Sequence, residues 1–69
     1  MRYKLAVTEY DGQTFRSVIV DHGGEQFTAI PAEAGNPVYQ SFLESQGLTD
    51  AEVQAMEPDV WHDMAASVI

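Results

Sequence analysis

Apolar side chains recur at every second position from Tyr3 through Leu5 to Val7, and again at Val18 and Val20, on either side of an Asp11-Gly12 dipeptide. A period of two is the side-chain period of a β-strand. The flanking runs, 3–10 and 13–20, are rich in β-branched and aromatic residues. A two-residue Asp-Gly loop between such runs is a strong hairpin signal, because both turn positions need positive φ. That loop length sets Tyr10 opposite Gln13, Val7 opposite Arg16, Leu5 opposite Val18 and Tyr3 opposite Val20. Tyr3, Leu5, Val7, Val18 and Val20 then share one face. Asp21-His22-Gly23-Gly24 reads as the next turn, and residues 25–30 as a third strand that Pro31 ends, since proline donates nothing to a ladder. A meander with one apolar face and two free edges does not stand alone, so helices must cover that face.

Beyond residue 35 the period changes. Asn36 is suited to cap the first free N–H groups of a helix and Pro37 to its first position, and Val38, Tyr39, Phe42 and Leu43 follow at helical spacing. Gly47 is a natural terminator after Gln46. Thr49-Asp50-Ala51-Glu52 has the spacing of a capping box, which predicts a second short helix with Leu48, Val53 and Met56 as its apolar set. Pro58 either ends that helix or begins a third, where Glu57 and Asp59 favour a helix N-terminus. Val60, Trp61, Met64, Ala65 and Val68 then fall on one helical stripe. The expected architecture is α+β, a three-stranded antiparallel β-meander followed by two or three short α-helices. It forms a single small acidic domain over residues 1–69, with the meander in 1–30 and the helical part in 36–69.

Composition narrows what such a fold does. The chain has 69 residues and no cysteine. A domain of that size buries only about 60% of the surface its unfolded chain exposes, so packing shared with a partner is a natural supplement. The net charge is −8, Arg2, Lys4 and Arg16 are the only Lys or Arg residues, and every charged residue after Arg16 is acidic apart from two histidines. This balance disfavours direct nucleic-acid binding; it serves solubility or faces a basic partner. No run approaches the ~20 apolar residues of a membrane span, and no apolar leader follows the basic start, so the expectation is a soluble, non-exported protein.

Catalysis has little to build on. No serine, threonine, aspartate or lysine sits in a recognisable nucleophile setting, and Gly23-Gly24 leads into a strand with no lysine behind it, unlike a phosphate loop. His22 beside Asp21, and His62 between Asp59 and Asp63, lack the spacing of a zinc site and read as solvated or turn-capping residues. The expectation is no enzyme, no cofactor and no metal. Trp61 is the one side chain with two readings, completing the core or anchoring a partner.

The pattern Phe27-x-x-Ile30-Pro31-x-Glu33-x-x-Asn36-x-x-Tyr39-Gln40-x-Phe42-Leu43, about a quarter of the chain, resembles a module of small bacteriophage tail-associated, tail-fibre-assembly-like proteins. It departs from that pattern at Pro37-Val38 and lacks a Trp-Leu continuation after Leu43. The resemblance implies a phage or prophage origin, a place in the host cytoplasm or virion, and a role in protein–protein docking as a tail component or assembly factor. It supplies no catalytic residues. The implied partners are a phage structural protein or a second copy of the chain, met through a free strand edge and the stripe of Trp61, Met64 and Val68. The alternative is an acidic inhibitor that imitates nucleic acid toward a basic host protein, with Glu44, Asp50, Glu52, Glu57, Asp59 and Asp63 on outer helical faces.

Overall fold

A computed structural model describes residues 1–64. Its centre is a hairpin of β1 (Arg2–Tyr10) and β2 (Gln13–Gly23) in the register that the Asp-Gly loop predicts, with Tyr10 opposite Gln13, Leu5 opposite Val18 and Tyr3 opposite Val20. Asp11 and Gly12 have φ of 52° and 76°, the left-handed pair that a two-residue hairpin turn requires. β3 (Gln26–Pro31) pairs with β2 after an irregularity at His22. The strand begins one residue later than expected, because Glu25 lies in the turn with φ 64°, and it includes Pro31. Proline is tolerated there because β3 is an edge strand.

Helix α1 (Pro37–Gln46) starts as its sequence predicts: the Asn36 side chain accepts from the Val38 and Tyr39 N–H groups, and Gly47 closes the helix with φ 65°. A short α2 (Asp50–Gln54) follows its capping box, in which Thr49 and Glu52 each receive a backbone N–H of the other. The core lies between the helices and one side of the sheet. It contains Tyr3, Leu5, Val18, Val20 and Ile30 from the strands, Tyr39, Phe42 and Leu43 from α1, Val53 from α2, and Ala32. Leu48, Met56 and Met64 pack around it. The Tyr3 and Phe42 rings meet edge to face at 5.2 Å, a favoured aromatic geometry.

A part-buried polar contact ties the helices together. The Tyr39 hydroxyl donates to Asp50 at 2.5 Å, and the Gln54 amide donates to the same carboxylate oxygen at 3.3 Å. Burial, then the neighbouring carboxylate, pushes the Tyr39 phenol up to about 12. The same two donors hold Asp50 below the usual carboxylate range.

Three expectations are corrected. No third helix begins at Pro58: Asp59 takes φ 62° and donates its N–H to the Leu5 carbonyl, and the chain then runs beside β1 as β4 (His62–Asp63). The sheet therefore has four strands, in the order β3-β2-β1-β4, and one of the two free edges is partly covered. Val7 is not in the core. It is 37% exposed because no helix reaches the outer half of the hairpin, and Val38 on α1 is also exposed. Of the two readings of the histidines, solvated or turn-capping, full solvation is not found, because both are half-buried. His22 Nε2 lies 2.8 Å from the Thr28 hydroxyl, and the His62 ring stacks on Tyr3.

Candidate functional site: the helix-free face of the sheet

Alternation along the strands sends Arg2, Lys4, Ala6, Thr8 and Tyr10 to the side of β1 opposite Leu5. Phe15, Ser17, Ile19 and Asp21 of β2, and Phe27, Ala29 and Pro31 of β3, fall on the same side by register. Neither helix contributes to this face. The rows across it read Arg2, Asp21, Phe27; then Lys4, Ile19, Ala29; then Ala6, Ser17, Pro31; and beyond β3 the pairs Thr8 and Phe15, then Tyr10 and Gln13, continue. Tyr10, Phe15 and Phe27 are 74%, 46% and 59% exposed.

β4 completes one end of the face. Asp63 stands opposite Arg2, and the Trp61 ring lies against the cations of both Arg2 and Lys4, each 5.0 Å from a ring centroid. Such contacts attract through the negative face of the indole. Arg2 also donates to Asp21 at 3.1 Å, and Lys4 lies 3.6 Å from Asp59. Asp21 is held below the usual carboxylate range, first by the Gly23 N–H and then by Arg2. Two of the chain's three Lys or Arg side chains are thus spent on one end of this face, each matched by a carboxylate.

The residues that sequence reading singled out are divided by this geometry. Trp61 and Asp63 belong to the helix-free face, whereas Met64, one strand position out of phase, packs against the core. A single stripe holding Trp61 and Met64 is therefore excluded, because the segment has the period of a strand. Val68 lies outside the described residues. Glu52 serves the capping box of α2, while Glu57 and Asp59 sit in the connection to β4 and Asp63 in β4 itself. Of the six carboxylates expected on outer helical faces, Glu44, Asp50 and Glu52 are helical, and Asp50 is engaged by Tyr39. Sequence reading missed Tyr10, Phe15, Ile19 and Phe27 as a surface set. Their shared phase, opposite to that of Leu5 and Val18, was the signal.

Most of the residues singled out in the pattern over 27–43 are accounted for by folding. Ile30, Tyr39, Phe42 and Leu43 are buried, Asn36 caps α1, and Gln40 donates to the Ala34 carbonyl at 2.6 Å. Phe27 and Glu33 remain exposed. The described residues also contain a shallow cleft of about 230 Å³ lined by Met1, Arg2, Asp21, His22 and Gly23. It is smaller than ordinary small-molecule sites. Among the described residues no group of three or more His, Asp or Glu side chains is placed to share a metal ion, and no helix is long and apolar enough to cross a membrane. No family model matches the chain, and neither a curated protein nor a solved structure matches it.

Proposed function

We propose that this chain is a non-enzymatic docking protein that presents the helix-free face of its sheet to another protein. The observation that carries this reading is the exposure of Tyr10, Phe15 and Phe27 on the face that also holds Ile19 and Trp61. Exposed aromatic side chains gathered on one face beside polar groups are enriched at protein interaction sites. The role proposed for it is that of a bacteriophage tail-associated component or assembly factor, acting in the host cytoplasm or virion. That role is supported by the resemblance over residues 27–43, in which Phe27 is a patterned residue with no part in the core.

The test is capture by the tagged full chain from infected and uninfected lysates, washed at low and high salt, alongside a Phe27→Glu chain. Recovery of virion proteins that survives high salt and is lost with Phe27→Glu supports docking through this face, because apolar burial tolerates salt. Recovery of a basic host protein that disappears at high salt and ignores Phe27→Glu assigns the chain to charge mimicry instead.

A further inference from the structure

We infer that the segment 59–64, which carries β4, is a releasable strap over the edge of β1, clamped at Trp61 by Arg2 and Lys4, that opens without unfolding the hairpin beneath it. The inference concerns the fold's own edge and stands whether or not the helix-free face docks a partner.

The backbone holds the strap at few points. β4 pairs with β1 only at Arg2–Asp63 and Tyr3–His62, whereas β2 pairs with the same strand at every residue from Arg2 to Tyr10. Two hydrogen bonds frame the segment, from the Asp59 N–H to the Leu5 carbonyl at 2.9 Å and from the Met64 N–H to the Met1 carbonyl at 3.2 Å. None of its residues is fully buried: Trp61, His62 and Met64 are half-buried, and Asp59, Val60 and Asp63 are exposed. Asp59 is also held at φ 62°, a left-handed conformation that costs a residue with a side chain and is relieved when the strap lifts. A segment so placed belongs to the low-stability end of a fold and opens on its own.

Side chains supply the clamp. The Trp61 ring lies against Arg2 and Lys4, each 5.0 Å from a ring centroid, and Lys4 lies 3.6 Å from Asp59. Two of the chain's three Lys or Arg residues therefore grip one short strand. His62 stacked on Tyr3 at 5.3 Å and Met64 against the core hold its other side.

What the strap conceals is polar backbone. The Met1 and Leu5 carbonyls face β4, and the alternation of an antiparallel strand turns the backbone groups of Val7 and Glu9 to the same edge. Release converts a short free edge into one that runs the length of β1, and an open edge is a template for another strand. The state of two basic side chains thus sets how much of that edge is available.

Amide hydrogen exchange of the full chain, read by NMR, tests the strap. Asp59 and Met64 report on it, and the β1–β2 ladder reports on the hairpin. We expect the two strap amides to be at least tenfold less protected than the ladder. Arg2→Gln with Lys4→Gln should lower their protection roughly tenfold further while changing the ladder far less. Acrylamide quenching of Trp61, the single tryptophan, should rise in that chain with circular dichroism unchanged. Lys4→Gln alone leaves the Arg2–Asp21 pair intact and should act in the same direction, which keeps the test readable if the double variant disturbs the hairpin. Opposed cross-strand residues such as Arg2 and Asp63 lie within disulfide range. An oxidised Arg2→Cys/Asp63→Cys chain should therefore protect Asp59 and Met64 as strongly as the ladder, and its reduced form should not. Strap amides that exchange together with the ladder in the native chain, or that are indifferent to loss of both cations, overturn the inference.

Discussion

The two faces of this sheet are built from the same strands and differ in what alternation delivers to them. On the helical side the phase of Leu5, Val18, Val20 and Ile30 meets α1 and α2, and every one of those side chains is almost completely buried. On the other side the phase of Tyr10, Phe15 and Phe27 meets no part of the described fold. The first phase is apolar throughout the inner half of the hairpin, whereas the second sets Arg2, Lys4, Thr8, Ser17 and Asp21 among its apolar residues, so the helices cover the first. How far they cover it is limited by length: the β1–β2 hairpin is long, but α1 and α2 together have fifteen helical residues, as ten and five, enough to cover one side of its inner half. The core lies on one face and the most exposed aromatic side chains, Tyr10, Phe15 and Phe27, on the other.

The largest test of that division lies in the core. Phe42 is fully buried against Tyr3, and Phe42→Ala is expected to cost about 3–5 kcal/mol. A domain of this size has only about 3–5 kcal/mol from its core, so the variant should be largely unfolded by circular dichroism at room temperature. A folded Phe42→Ala chain with a near-native urea midpoint would show that stability comes from somewhere other than the helical side.

How much of this was legible in the sequence follows the distance over which each signal acts. The Asp11-Gly12 turn, the Asn36-Pro37 start and the Thr49/Glu52 box are local, and each residue's own conformational preference specified the structure around it. Residues 60–64 were misread because Val60, Trp61 and Met64 fit a helix and a strand equally well over so short a span. The choice is made by the β1 edge, through the Leu5 carbonyl accepting from Asp59 and the Met1 carbonyl accepting from Met64, contacts about sixty positions away in sequence that no local pattern carries. Val7 failed for a related reason. Its phase was right, but the reach of the helices was not written at that position. The helix-free face was readable as the opposite phase of the same strands, yet phase alone does not say that the face stays uncovered.

The next effect in size joins the helices to each other rather than to the sheet. Tyr39→Phe removes the hydrogen bond to Asp50 and is expected to lower stability by about 1 kcal/mol. Its signature is in the pH dependence. The fold raises the Tyr39 phenol to about 12, so the unfolded chain releases that proton first. The stabilisation is complete below pH ~10, the ordinary tyrosine value, and is lost as pH climbs toward 12. Asp50 works in the opposite sense. Held below its ordinary value by the Tyr39 and Gln54 donors, it stabilises above the ordinary carboxylate range, and that contribution disappears as pH falls through its lowered value. Urea midpoints across pH should fall on both sides for the native chain and more shallowly on both for Tyr39→Phe. Identical slopes would mean that other groups set the pH limits. Asn36→Ala acts at one helix end only; losing its two N–H contacts should cost about 1 kcal/mol with no change in the alkaline slope.

The smallest expected effect on folding separates the faces most sharply. Phe27 is 59% exposed and lies on the helix-free side, so Phe27→Ala should shift the urea midpoint by no more than the ~0.5 kcal/mol usual for surface positions. Phe27 is one of the exposed aromatic side chains on which the proposed docking surface rests. Phe27→Ala should therefore weaken capture while leaving the melt unchanged. If it instead destabilises the chain by the amount of a core substitution, Phe27 belongs to the fold and the helix-free face loses one of its three most exposed aromatic side chains.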